Sequence, residues 1–443
     1  MDRRDPAQAV EWLRMAALQG DTVCQTLLAK HYEFGDGVEQ DPELSVRWYR
    51  RAAEGGEPEA KCCLGWLMEH GKWADRDPEG AVELYRQAAE AGSERGLLLL
   101  AGCLLSGVGT QAAPEQAVRC YEKGAEAGSA QAMCNLGWCY ETGNGVEQSW
   151  EQAVLWYRRS AEEGDARAMC NLGWCYESGN GVEQSWEEAV HWYRRGAEGG
   201  DSQAMCNLGW CYESGNGVEQ SWEEAFCWYR KGVEKGSTRA MFQLAWCYEK
   251  GLGVEQDPAQ AADWYRRGAE AGSTACMNNL AELLAKGDGV PQDLEQAMKW
   301  YRRAAELDDE CAWYNLGWYH EQAGELDQAL ECLLRADELG DDSACWGLGR
   351  FYETGTAVEQ DLEQAFLVIA ATNNSAVNDE IARLCHERGI PVNHAGDQNQ
   401  CDFQFPAIVR NDLVVIGINA GGKNHGLVKR VAAGLREWIT THL

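Results

Sequence analysis

Cysteine is the residue type in this 443-residue chain that most readily suggests chemistry, with nineteen copies. Most of them recur in columns, such as Cys134, Cys170 and Cys206, or Cys139, Cys175, Cys211 and Cys247. Equivalent positions of stacked helices lie roughly 10 Å apart, whereas a disulfide needs Cα atoms within about 7 Å. Within one helix Cys134 and Cys139 point about 140° apart. The columns therefore read as small apolar packing residues, and free thiols in this number suit a reducing cytoplasm. His394, Asp397, Asp402 and His425 carry metal-ligating atoms, but their spacing matches no local metal motif, so no metal site is expected. Gly143-Asn144-Gly145 and its copies look like the opening of a phosphate-binding fingerprint; with no strand pattern before them, they read as loop glycines.

A second set of residues suits binding rather than reaction. Of twenty tryptophans, Trp156, Trp192, Trp228, Trp264 and Trp300 precede a tyrosine and are expected in the core. Trp138, Trp174, Trp210, Trp246 and Trp318 instead follow Asn135, Asn171, Asn207, Gln243 and Asn315 by three positions. Residues three apart share a helix face. A ladder of amides and indoles on that face would hold an extended peptide, the rings supplying area and the amides meeting its backbone. The competing reading is that these rings pack between successive units.

The elements that would position these columns follow from a repeat. Leucine recurs at 28, 64, 100, 136, 172, 208, 244, 280 and 316, each step being 36 residues. The next equivalent is Leu348, and the four lost residues fall where Ala323-Gly324-Glu325-Leu326 replaces the longer loop. A period of this size marks a stacked helical array, here a half repeat, about nine units and a last helix at Ala344. Each unit reads as two helices. Ser185 with Glu188 forms a capping box, other units begin the second helix with Asp-Pro, and Gly164, Gly200, Gly236 and Gly272 stop it. Ala132, Leu136, Gly137 and Tyr140 share one face of the first helix, and Ala153, Trp156, Tyr157 and Ala161 one face of the second.

The pattern A-x3-LG-x2-Y-x2-G-x-GV-x2-[DS]-x3-A-x2-WY-x3-A resembles the Sel1-like repeat, a relative of the tetratricopeptide repeat, over residues 1–365. The resemblance implies a mainly α chain: a right-handed α-solenoid whose concave face, lined by first helices, holds protein partners without chemistry of its own. The net charge of −32 belongs to this region, because residues 371–443 carry seven basic and seven acidic residues. Such an array repels nucleic acid and anionic membranes. The acidity suits either a groove for a basic partner or a plain solvated surface. No apolar run approaches the roughly 18 residues of a membrane span, and the opening MDRRDPAQAV lacks the apolar stretch of a signal peptide.

Near residue 366 the grammar changes. Phe366 to Thr372 reads as a buried strand, followed by a helix from 375 to 388, a strand at 390–393, two strands at 403–410 and 413–419 joined by Asn411-Asp412, and a helix from 424 to 442. This order predicts a small α/β module at 366–443, partly Rossmann-like and partly for dimerisation. Through FLVIAATNNSAVN, GIPVNHAGDQNQCDFQFPAIV and LVVIGINAGGKNHGLVKRVAAGLREWI it resembles the precorrin-2 dehydrogenase and sirohydrochlorin ferrochelatase family, the N-terminal module of siroheme synthase. The resemblance implies tetrapyrrole chemistry, with Ala371, Thr372 and Asn373 beside a nicotinamide nucleotide and a later antiparallel segment forming a homodimer interface.

Three departures weigh against catalysis. The family's GxGxxA turn, which seats the pyrophosphate on a helix N-terminus, has no counterpart in residues 1–362. The position of its acid/base aspartate is Gly396 here, with Asp397 one residue away. Its S-x-G-G-x-S-P loop appears as Asn419-Ala420-Gly421-Gly422-Lys423-Asn424-His425, without hydroxyls. The expectation is an interaction scaffold with an acidic groove and no cofactor, attached to a non-catalytic module linked to siroheme biosynthesis. The alternatives are an active NAD-dependent dehydrogenase or ferrochelatase completed by oligomerisation, with Asp397 catalytic, and an inert cap on the solenoid.

Overall fold

The computed structural model describes residues 6–354 and, as backbone, the strands 407–411 and 414–418. The chain divides into two compact units, Met1–Asp257 and Pro258–Leu443. In the first, the helices are α1 (Pro6–Leu18), α2 (Thr22–Phe34), α3 (Pro42–Glu54), α4 (Pro58–His70), α5 (Pro78–Glu90), α6 (Glu94–Ser106) and α7 (Pro114–Glu126). They continue as α8 (Ala130–Thr142), α9 (Trp150–Glu162), α10 (Ala166–Ser178), α11 (Trp186–Glu198), α12 (Ser202–Ser214), α13 (Trp222–Glu234) and α14 (Thr238–Lys250). The second unit holds α15 (Pro258–Glu270), α16 (Thr274–Lys286), α17 (Leu294–Ala305), α18 (Glu310–Gln322), α19 (Leu326–Leu339) and α20 (Asp342–Thr354). It also holds an antiparallel pair, β1 (Ala407–Asn411) and β2 (Val414–Ile418), with Ala407 opposite Ile418 and Asn411 opposite Val414.

These are tandem two-helix repeats, the α-solenoid expected from the period. The serine and aspartate N-caps are as the sequence predicts: Ser185 Oγ accepts the Glu188 amide at 3.3 Å, and Asp41 does the same for Leu44 at 2.9 Å. The second loop glycine, Gly181, has φ +70°, and a Cβ there would meet the Trp150 carbonyl at 2.4 Å. Only glycine lets this loop lie flat on the helix start of the preceding repeat. The shortened unit turns tightly between α18 and α19, where buried His320 contacts Glu325 at 2.5 Å. The expected boundary at 366, the strands at 366–372 and 390–393, and the helices at 375–388 and 424–442 lie outside the described residues.

The core of a repeat is a tyrosine rather than the tryptophan beside it. Tyr157, Tyr193 and Tyr229 are fully buried, while Trp156, Trp192 and Trp228 are half-buried. That corrects the expected core placement of the Trp156 column, including Trp264 and Trp300, which are half-buried too. One residue turns a helix by about 100°, so the tyrosine enters the cleft and its neighbour is rotated to the rim. There each indole is covered by a cation three residues on: Arg159 over Trp156 at 4.8 Å, Arg195 over Trp192 at 4.8 Å, Lys231 over Trp228 at 3.7 Å.

Tyr85, Tyr157, Tyr193 and Tyr229 each lie against a helix glycine and end on a carboxylate. A Cβ at Gly173 would sit 2.7 Å from the Tyr193 ring. The Tyr193 hydroxyl donates to Glu177 at 2.5 Å, and Tyr49, Tyr85 and Tyr229 donate likewise to Glu33, Glu69 and Glu213 at 2.7, 2.8 and 2.6 Å. Burial first, then the facing carboxylate, pushes the Tyr193 phenol well above its ordinary range, so it stays a donor. Two outcomes follow. Tyr193→Phe leaves Glu177 without its donor and lowers stability by about 1–3 kcal/mol in urea unfolding. Gly173→Ala overpacks the ring, costing about 1–3 kcal/mol, more than the roughly 1 kcal/mol gained in helix propensity. An unchanged or raised midpoint in either variant would refute the contact's importance.

Candidate functional site

In the first unit the first helices of successive repeats touch one another, α4 with α6, α10 with α12 and α12 with α14. Their free face is a stripe at spacings of four, three and four residues: Gln131, Asn135, Trp138 and Thr142 on α8, then Arg167, Asn171, Trp174 and Ser178 on α10. Gln203, Asn207, Trp210 and Ser214 continue it on α12, and Arg239, Gln243, Trp246 and Lys250 on α14. The sequence-predicted residues of this unit are thus brought together on one face. Asn315 and Trp318 stand on α18 in the second unit, where the Trp318 ring meets Tyr319 edge-on at 4.7 Å.

The amides are seam residues as well as surface. Asn171 donates to Cys134 Sγ at 3.9 Å and Asn207 to Cys170 Sγ at 3.7 Å, each reaching back one repeat. Asn135 accepts from Arg167 at 2.5 Å, Asn207 accepts from Arg239 at 3.2 Å, and Gln243 donates to the Tyr229 hydroxyl at 3.4 Å. The indoles pack between repeats at one edge. Trp174 meets Trp150 at 5.4 Å, Trp210 meets Trp186 at 5.6 Å, and Trp246 meets Trp222 at 5.6 Å. Trp138 and Trp174 nonetheless keep 40% and 37% of their surface exposed. The partner tryptophans, recurring one residue after the capping serine and 24 before the next column, are a signal the sequence carried and the residue reading missed.

The charge of this face differs from the acidic groove that composition suggested. Its four rows hold no carboxylate. The glutamates of these helices are engaged beside it: Glu141, Glu177 and Glu213 take tyrosine hydroxyls, and Glu249 pairs with Lys250 at 2.5 Å. Exposed acids stand on the loops and second helices instead, as at Glu147, Glu183, Glu187 and Glu223. First helices bury Ala, Leu, Gly and Cys on one side and carry amides and indoles on the other, so the acids cluster where helices face only water.

The sixteen cysteines whose side chains are described are all free thiols, twelve of them buried. Among the described residues no group of three His, Cys, Asp or Glu side chains could hold a metal ion. No described helix is long and apolar enough to cross a membrane. Ala371, Thr372, Asn373, His394, Asp397, Asp402 and His425 lie outside the described residues.

Comparison with known proteins separates the chain into two likenesses. The Sel1 repeat model matches residues 2–21, 22–57, 58–93, 95–129, 130–165, 166–201, 202–237 and 238–273. An NAD(P)-binding model matches residues 291–407. Of that match, residues 294–354 form α17 to α20, without a strand. Among solved structures the chain is similar to a protective antigen of uropathogenic Escherichia coli displaying an SLR fold, at 30% identity and TM-score 0.54, covering 87% of this chain and 84% of that one. It is also similar to a Sel1 repeat protein of Oxalobacter formigenes, at 28% identity and TM-score 0.54, covering 73% and 95%. A multifunctional siroheme biosynthesis protein of Ruminiclostridium josui is 40% identical over 77 residues, 17% of this chain and 15% of that protein. Siroheme synthase of Pseudomonas aeruginosa is 38% identical over 73 residues, 16% of each. The chain therefore spans less than a fifth of these curated relatives.

The thiol columns give a pH dependence. Burial, with Glu141 or Glu177 nearby, pushes Cys175 and Cys211 up to about 12, from an ordinary value near 9. An unfolded thiol loses its proton near 9 while the folded one keeps it, so stability is full below pH 9 and falls as pH rises toward 12. Melting temperature measured from pH 8 to 11 is expected to drop above pH 9, less steeply in Cys175→Ala with Cys211→Ala. Peptide mapping after alkylation at pH 8 should find exposed Cys311 modified and Cys139, Cys175 and Cys211 intact.

Proposed function

The chain belongs to the Sel1 repeat family, and from that premise we propose that its array is a scaffold holding a segment of another protein along the first-helix face. The observation that carries this reading is the exposed row of α8, α10, α12 and α14, where amides and half-exposed indoles repeat in register. Register matters because an extended segment is itself periodic, and each repeat can offer it an aromatic surface and a polar contact. Asn315 with Trp318 on α18 offers the same pair in the second unit.

The C-terminal residues form, on this reading, a siroheme-synthase-like module that does not complete a dehydrogenase. A dinucleotide site needs a strand, a glycine turn and a helix N-terminus to hold the pyrophosphate. Residues 294–354, which the NAD(P)-binding model includes, are repeat helices instead. Asp397 stands one residue from the family's aspartate position, which is Gly396, and the Asn419–His425 loop lacks the family's serines. The hairpin of β1 and β2 would serve as a homodimer contact, placing two arrays on one assembly. The NAD(P)-binding match itself favours a second reading, in which Ala371, Thr372 and Asn373 contact NAD and a second copy supplies the missing half.

Calorimetric titration of the full-length protein with NAD and, separately, with sirohydrochlorin decides between them. The scaffold reading expects no heat of binding at millimolar ligand. Micromolar binding of either, with dehydrogenase or chelatase turnover lost in Asp397→Ala, would establish the enzyme. Sedimentation of the same sample should show a dimer; a monomer at tens of micromolar would remove the role given to the hairpin.

A further inference from the structure

The position that opens each exposed first-helix row runs Glu59, Arg95, Gln131, Arg167, Gln203 and Arg239 along successive repeats. Its early members compensate one another: the Glu59 carboxylate holds Lys30 at 2.8 Å and Arg95 at 2.7 Å. Arg167 and Arg239 have no such acid, because the residue one repeat before each is glutamine. Their described hydrogen bonds go to neutral groups, from Arg167 to Asn135 and the Cys134 thiol and from Arg239 to Asn207. Asp165 caps its own helix at Ala168 and favours the Arg167 charge from nearby, without a hydrogen-bonded ion pair among the described residues. Both arginines are exposed, on a face whose four rows hold no carboxylate. A guanidinium is a planar fork of five donors, and one or two bonds to neutral groups leave the rest free for an oxyanion.

We infer that Arg167 and Arg239 recognise acidic side chains of an extended peptide lying along the first helices from α8 to α14. The two stand two repeats apart, roughly 20 Å at about 10 Å per packed helix. An extended chain advances about 3.3 Å per residue, so the carboxylates they select are about six residues apart. Trp174 and Trp210 lie between them and face the intervening residues. The chain's net charge of −32 does not oppose this locally, since the acids stand on second helices and loops. Beyond about 8 Å at physiological salt their field is largely screened. This inference rests on the reading that the first-helix face holds a protein segment.

The test uses the full-length protein and two fluorescein-labelled peptides of about twelve residues in a Ser/Thr/Ala background. One carries two glutamates about six residues apart, the other two lysines at the same places. Anisotropy at about 0.15 M salt is expected to show tighter binding of the glutamate peptide, weakened about tenfold by Arg167→Gln and by Arg239→Gln. Glutamine already occupies this column at Gln131 and Gln203, so these variants keep the fold. Equal or tighter binding of the lysine peptide overturns the charge assignment, as does glutamate binding indifferent to both substitutions. If the lysine peptide binds and Trp174→Ala weakens it, the face still holds a segment and only the acidic specificity fails. If neither peptide binds at millimolar concentration, both readings fail.

Discussion

The array depends on one contact, a tyrosine ring laid on a helix glycine. A Cβ at Gly65, Gly137, Gly173 or Gly209 would stand 2.5 to 2.7 Å from the ring of Tyr85, Tyr157, Tyr193 or Tyr229. That proximity sets how closely the two helices of a repeat approach. It fills the cleft with the largest buried side chain, and it delivers the hydroxyl to a carboxylate sixteen residues earlier. A buried phenol without a partner would cost a few kcal/mol, so the ring and the glutamate form one unit. Where the pair is broken, the packing changes with it. Sixteen residues before Tyr121 stands Leu105 in place of an acid, and in the shortened unit Leu333 takes the ring's position over Gly317 at 3.0 Å.

That contact also sorts the charge. On α8, α10 and α12 the glutamate of each helix is bound to a tyrosine, and the exposed acids of these repeats sit on second helices and loops, where the cations that cover the indoles also stand. A net charge taken over the whole chain therefore does not describe the first-helix face. The first-helix face is formed by residues that answer to the neighbouring repeat, and its polarity follows from that seam rather than from composition.

Much of the fold was legible because the repeat prints its own register. Spacing by 36 located each helix, and the drop to 32 located the tight turn before α19. The face carrying Asn and Trp was legible from three-residue spacing alone. What spacing could not reveal was which of two adjacent aromatics enters the cleft. In the Trp-Tyr pair either ring could do so by periodicity, and the choice is made by the partner helix, whose glycine and glutamate match a phenol. Nor could spacing show that Trp174 meets Trp150, because that contact joins two repeats through a loop whose path depends on Gly181. The C-terminal motifs were legible only as resemblance, since no internal repeat checks them.

The near-identity of residues 130–237 bears on function only where structure leaves a position free. Asn135, Asn171 and Asn207 are invariant among the three copies, but the last two bond the thiol of the previous repeat, so packing alone explains their retention. Cys134, Cys170 and Cys206 are retained for the same reason. On the second helix Leu155, His191 and Cys227 hold one position with three unrelated chemistries, as expected of a side chain that no neighbour constrains. Gln131, Arg167 and Gln203 differ as well, yet here the change is from neutral to cationic on the first-helix face proposed to hold a partner. Both residues fit the same helix, so packing does not account for the difference. The informative residues of such an array are those that vary while the seam around them stays fixed.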